Sequence, residues 1–271
     1  MLSSWHSFSF KKVGCDKVHL VEGNRRFLDS LVAYAGATDP GRVRRCNEDN
    51  LLLLPENGVF AVADGLGGLD AGDIASSTAL AHLQDLCSAP TSLANGDLKR
   101  HLEAIIAAVN SHTYQHRMVL GKNMATTLAL VQLGSNGTAL AAHVGDSRIY
   151  RWHDDELIRI TSDHSLVNEL YKQGALTASQ AERSPQRHVI TRAVGAEPTV
   201  LPSITAFTVA HGDKLLLCTD GLTSMVPDEQ IAQCLQSEQT YIGRLVEQLV
   251  RLANEAGGHD NITLIVLSIQ K

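Results

Sequence analysis

Short runs of aliphatic and β-branched residues recur along most of this chain, each bounded by Gly, Asp, Asn or Pro, and that rhythm is the signature of strands. It predicts strands over residues 31–37, 50–54, 59–63, 126–133, 138–144, 147–152, 156–160, 203–209, 214–218 and 262–269. Asn57-Gly58 and Asn136-Gly137 sit between such runs as hairpin turns. Helical periodicity is confined to paired blocks. Residues 71–87 place Ile74, Ala75, Thr78, Ala79, Leu83 and Leu86 near one face, and residues 98–120 do the same with Leu102, Ile105, Ile106, Val109 and Thr113. A second pair, 228–235 and 241–256, ends at Gly257-Gly258 as a helix stop. Strand runs broken by helix pairs, without strict strand–helix alternation, indicate an α+β fold. The expected architecture is two stacked antiparallel β-sheets flanked by helices on both sides, a four-layer α-β-β-α sandwich. Residues 165–187 read differently, as two short helices inserted between strands, the second capped by Thr177.

With 271 residues, 44% of them hydrophobic, the chain can bury a substantial core, and one domain over 32–271 is expected. Residues 1–31 mix Trp5, Phe8 and Phe10 with Lys11, Lys12, Arg25 and Arg26 and read as an N-terminal extension of open role. They lack the continuous apolar segment of a secretory signal. The 23 Lys plus Arg against 29 Asp plus Glu give a net charge of -6, which counts against a broad basic face for nucleic acid. No stretch approaches the ~18 apolar residues of a membrane span. Five scattered cysteines without C-x-x-C spacing suggest neither a disulfide framework nor a zinc cluster, so the cytoplasm is the expected compartment.

The local regularity that points to chemistry is an aspartate at the end of an apolar run, found four times. Phe60 to Ala63 runs into Asp64-Gly65, Ala141 to Gly145 into Asp146, and Leu215 to Thr219 into Asp220-Gly221, while Asp260-Asn261 leads into Ile262 to Val266. A single strand-end Asp-Gly is most often a turn. Four on strands packed side by side bring unpaired carboxylates toward one rim, where their repulsion asks for cations. Oxygen ligands of this kind suit Mg²⁺ or Mn²⁺. Two such ions about 3.5–4 Å apart, bridged by a carboxylate, are the apparatus of phosphate-ester hydrolysis. In Asp64-Gly65-Leu66-Gly67-Gly68 the absent side chains let backbone approach an ion or phosphate, and the following helix could present its N-terminus to the anion. Upstream, Arg42, Arg44 and Arg45 precede Glu48 and Asp49; one of the three arginines grips a phosphate, or all three form a surface cluster.

These residues resemble the metal-dependent protein phosphatases of type 2C, most closely their compact bacterial members. The likeness runs in order through Thr38-Asp39-Pro40-Gly41, Arg44-x-x-Asn47-Glu48-Asp49, Asp64-Gly65-x-Gly67-Gly68, Ala125-Thr126-Thr127, Val144-Gly145-Asp146-Ser147-Arg148, Asp163-His164-Ser165, Thr191-Arg192-Ala193-x-Gly195, Thr219-Asp220-Gly221 and Asp260-Asn261. The resemblance implies hydrolysis of phosphoserine and phosphothreonine in proteins by a water bridging two Mn²⁺ or Mg²⁺ ions. It implies that Asp64 bridges both ions, the Gly65 carbonyl serves one, and Asp220 and Asp260 complete the other. Glu48 and Asp49 would act mainly through water, Arg44 would bind the phosphate, and Asp146 with Asp220 would form a third, weaker site. Residues 165–187 would be a flap beside the cleft. The implied partners are phosphorylated proteins and an opposing bacterial serine/threonine kinase, with a monomeric enzyme and neither nucleic acid nor membrane. Leu66 stands where animal relatives carry a histidine general acid, and Ala125 replaces a glycine. His164 is expected to anchor its loop, and His143, His211 and His259 to be structural or solvent-facing.

Overall fold

The structure is a computed structural model and describes residues 19–27, 30–67, 71–88, 98–134, 137–237 and 241–270. The chain runs β1 (His19–Phe27), β2 (Ser30–Asp39), β3 (Asn50–Leu54), β4 (Val59–Ala63) and the two-residue β5 (Gly65–Leu66) into the helix pair α1 (Gly72–Ser88) and α2 (Leu98–Leu120). It continues through β6 (Ala125–Thr126), β7 (Leu128–Leu133), β8 (Thr138–Val144), β9 (Arg148–His153) and β10 (Glu156–Arg159) to the short helices α3 (Leu166–Lys172) and α4 (Ala178–Glu182). Then come β11 (Ser203–Thr208), β12 (Lys214–Cys218), α5 (Asp220–Thr223), α6 (Asp228–Gln236), α7 (Ile242–Glu255) and β13 (Ile262–Gln270). One sheet has six strands in the order β1-β2-β13-β12-β9-β10, and the other five in the order β11-β8-β7-β4-β3. All neighbours within them pair antiparallel.

Side chains that alternate across a pleat and are buried on both faces explain the nearly unbroken apolar runs. In β13, Ile262, Leu264 and Val266 join a core with Leu245, Val246 and Leu249 of α7, whereas Ile265, Leu267 and Ile269 face the other sheet. In β4, Ala61 and Ala63 pack with Leu80 and Leu83 of α1 and Leu102 and Ile106 of α2, while Phe60 and Val62 enter the middle layer. Three apolar layers thus separate four structural ones, as the sandwich requires, and each fully buried Leu or Ile contributes about 1.5–3 kcal/mol. Gly257 and Gly258, both at positive φ, stop α7, and the Gly258 N–H returns to the Ala253 carbonyl at 3.0 Å.

The structure departs from the sequence pattern in three places. Residues 19–27, which the pattern leaves inside an extension ending at 31, form β1 and pair residue for residue with β2, Leu20 opposite Ala37 and Arg26 opposite Leu31. Residues 1–18 lie outside the described residues. The single strand expected over 126–133 is broken at Thr127, whose hydroxyl accepts the Asp64 N–H at 2.9 Å while its own N–H donates to the Asp64 carbonyl at 2.9 Å. Gly65 and Leu66, read as a turn, pair with Thr126 and Ala125. Asp154 and Asp155, at φ 46° and 61°, make the tight turn between β9 and β10. Gly68 and Asn136 of the sequence motifs fall outside the described residues.

Candidate active site

The acidic residues singled out from sequence meet at one end of the sandwich, because each sits where a buried strand begins or stops. Glu48 and Asp49 precede β3, Asp64 follows β4 and Asp146 follows β8 in one sheet; Asp220 follows β12 and Asp260 precedes β13 in the other. Close backbone packing locks these ends together. A Cβ on Gly221 would stand 1.9 Å from the Asn261 carbonyl oxygen, and one on Gly65 would stand 2.2 Å from that of Gly72. The Asn261 side chain donates to the carbonyls of Pro40 and Cys46, both at 3.0 Å, and accepts the Glu48 N–H at 2.9 Å. The rim opens into a cleft of about 1160 Å³ whose floor includes Arg44, Glu48, Asp64, Asp146, Asp220 and Asp260.

Charges crowd here. Burial, then the carboxylates of Asp49, Asp220, Asp146 and Asp260, push Asp64 well above the ordinary carboxylate range. Burial also raises Asp49 well above it, with hydrogen bonds from Thr219 and Thr263 opposing and Asp220 and Asp260 adding. Asp146 is pushed up to about 7 by burial, then by Asp220 and Asp163. Asp220 is raised by burial, then by Asp260, with His188 and the Asp64 carboxyl opposing. Among the described residues no three Asp, Glu, His or Cys side chains stand as a ready-made cation cage. Their hydrogen bonds show why: Asp260 accepts Arg44 Nη2 at 2.7 Å and its neighbour's N–H at 2.8 Å, and Thr219 Oγ1 donates to Asp49 at 2.8 Å.

Two observations nevertheless fit divalent cations held by oxygen. The second oxygen of Asp49 is buried without any hydrogen-bond partner. The carboxylates also raise one another, so the site is short of positive charge, and a hard cation compensates that shortage with the ligand type present.

Other expectations resolve as follows. Of the three arginines only Arg44 lines the cleft. The α1 N-terminus turns inward: the Gly72 N–H donates to Glu48 Oε1 at 3.1 Å. Leu66 lines the cleft, as does His188, just after residues 165–187, whose Nδ1 lies 3.9 Å from Asp220. His164 is 4% exposed and pushed down to about 3 by burial, then by His143 and Arg192, and its ring accepts the Gly145 N–H at 3.2 Å and lies 2.9 Å from Ser203 Oγ. The Asp163 carboxylate, between Arg148 and Arg159, and the hydroxyls of Thr127 and Thr219 were not assigned roles from sequence. Their places in the Ala125-Thr126-Thr127, Asp163-His164-Ser165 and Thr219-Asp220-Gly221 motifs were the available signal.

Two stacked sheets whose strand ends gather carboxylates over an open cleft define a phosphohydrolase class, and comparison with known proteins places the chain within it. Residues 42–262 match the family described as Protein phosphatase 2C. The serine/threonine phosphatase Stp of Listeria innocua is 35% identical over 236 residues, covering 85% of this chain and 93% of that protein. The serine/threonine protein phosphatase PstP of Mycobacterium tuberculosis is 37% identical over 244 residues, covering 88% of this chain but 45% of that longer protein. A crystal structure of the PstP catalytic domain in complex with two manganese ions superposes with a TM-score of 0.77 at 34% identity, covering 89% of this chain and 99% of that one. The chain belongs to the protein phosphatase 2C family and is a serine/threonine protein phosphatase of the bacterial type.

Proposed function

We propose that this enzyme hydrolyses phosphoserine and phosphothreonine in proteins using two Mn²⁺ or Mg²⁺ ions, in opposition to a serine/threonine kinase of the same cell. Asp64 would hold both ions, with the Gly65 carbonyl on one and Asp220 and Asp260 on the other. Glu48 and Asp49 would act mainly through water, and Asp146 with Asp220 would take a third ion. Such a pair would supply Lewis-acid stabilisation of the phosphoryl oxygens and would lower the pKa of a bound water so that it can give up a proton and serve as a hydroxide nucleophile.

The chain's own groups prepare that chemistry. Arg44 stands half exposed at the cleft, with the geometry to fork two phosphoryl oxygens. It now shares the Asp260 carboxylate, so engaging Asp260 elsewhere frees its guanidinium for the substrate. Thr219 fixes Asp49, and the Thr126 hydroxyl and Thr127 N–H fix the Asp64 carbonyl, leaving the Asp64 carboxyl the freedom to face the cleft. The cleft is open enough to admit a side chain on a protein surface, which supports a protein substrate. Thiols at Cys87, Cys218 and Cys234, none in a disulfide, support a cytoplasmic setting.

The observation that carries this reading is the convergence of carboxylates that raise Asp64. The test is hydrolysis of a phosphothreonine peptide with Mn²⁺ by wild type and Asp64→Ala. Wild type is active and the variant falls by at least about 10³-fold. Equal activity in both, or none in wild type with Mn²⁺ present, sinks the proposal.

A further inference from the structure

His164 touches no part of the rim, yet it engages two regions that border it. Its N–H donates to the Gly145 carbonyl at 2.9 Å, and its Nδ1 accepts the Gly145 N–H at 3.2 Å. One residue therefore holds both polar groups of Gly145. Its own carbonyl accepts the Thr191 N–H at 2.8 Å. On the far side of the ring, Nε2 lies 2.9 Å from Ser203 Oγ, with Arg192 Nη1 at 3.4 Å. Gly145 can only donate to Nδ1, and that shorter contact assigns the ring proton to Nε2, facing Ser203, so the 3.4 Å approach of Arg192 Nη1 is a contact and not a hydrogen bond. The ring stacks on His143 with centroids 4.4 Å apart, and His143 is itself tied to the Ser162 carbonyl at 2.9 Å.

Both partners of this grip matter to the cleft. Gly145 precedes Asp146, has φ +101° and approaches Thr127 so closely that a Cβ would meet its side chain at 2.7 Å. Its carbonyl belongs to the peptide that aims Asp146. Thr191 lies just past the closing stem of the flap, where Leu166 N–H bonds the Val189 carbonyl at 2.9 Å and Ser165 bridges Ile190. We propose that His164 is a positioning residue that couples the flap to Asp146, its Nδ1 setting the Gly145 peptide while its backbone carries the flap's return. A role in packing alone would need the bulk of the ring, whereas coupling needs the acceptor at Nδ1.

The inference rests on reading Asp146 as a cation ligand, and the experiment separates the two. His164→Leu keeps volume and loses the acceptor; His164→Asn places an acceptor near Nδ1. Mn²⁺ binding is measured by calorimetry, alongside tryptic cleavage at the exposed Arg183 and Arg187 of the flap, with Asp146→Asn as reference. His164→Leu is expected to weaken by about tenfold the same Mn²⁺ step that Asp146→Asn weakens. It should also speed flap cleavage about tenfold, and His164→Asn should recover both to within about threefold. If Asp146→Asn weakens a step that His164→Leu leaves alone, or His164→Asn fails alongside His164→Leu, the coupling is overturned while the ligand reading stands. If Asp146→Asn changes no step, the ligand reading fails and the coupling with it. Should His164→Leu not fold, Ser203→Ala decides: a shift of about threefold in both measurements supports the coupling, and none overturns it.

Discussion

At the rim of the cleft the backbone that carries the carboxylates is fixed by groups from distant parts of the chain, whereas residues 165–187 are held mostly by their own neighbours. Gly221 packs on Asn261, Thr38 bonds Thr263 at 2.7 Å, and Asn261 spans to Pro40 and Cys46. In the flap, α3 buries only Val167 and α4 buries nothing. The start of α4 is secured by a capping box between Thr177 and Gln180. The contrast follows from what each region must do. Like charges stay close only where the backbone over-determines their positions, and a segment proposed to admit a protein substrate would need low local stability.

The strongest way to break the contrast is Gly221→Ala. Its new methyl collides with the Asn261 carbonyl, so the variant should lose about 2–4 kcal/mol of stability in chemical denaturation and lose activity with it. A loss below about 0.5 kcal/mol would show the rim to be as pliable as the flap. A smaller effect comes from pH in the metal-free protein. Asp146 has a folded pKa of about 7, above its unfolded value, so the stability it contributes is complete below about pH 4 and is lost as pH rises through 7. Asp146→Asn, measured in chelator, should therefore gain on wild type by about 1–3 kcal/mol between pH 4 and pH 8. The neutral His164 works in the opposite sense, losing stability as pH falls below about 6.5, so the difference between variants is the clean measurement. The smallest expected effect is Thr177→Ala. It removes a cap worth about 1 kcal/mol to the flap, should leave the global unfolding midpoint unchanged, and should hasten cleavage at Arg183. A fall in the global midpoint would mean that the flap unfolds with the core.

The same contrast governs how much could be read from sequence. Strands β3, β4, β8 and β12 match their apolar runs residue for residue, because burial on both faces leaves a continuous signal. The acidic residues were legible for a related reason, since each interrupts such a run. β1 was not: Glu22, Gly23, Asn24, Arg25 and Arg26 carry little strand preference, and pairing with β2 imposes the conformation. Arg44 could be narrowed to one of three arginines by pattern and separated from its neighbours by position in the cleft. The grip of His164 on Gly145 joins residues 19 apart through the glycine's backbone, a partner that no side-chain pattern reports. Burial was legible at Cys218, which ends the apolar run of β12: its thiol is pushed up to about 12 by burial and is a packed group despite its place beside Thr219-Asp220.

The place of β13 in its sheet has a consequence for biosynthesis. It lies between β2 and β12, with Ile262 opposite Asp39. On a ribosome adding about 5–20 residues per second, β2 waits roughly ten to forty-five seconds for its central neighbour. Until then β2 offers an unpaired edge, and Asp260 has not joined Asp64. A nascent chain therefore acquires its other sheet and four of its six rim carboxylates well before it can dephosphorylate anything, and this interval is when a chaperone would have most to protect.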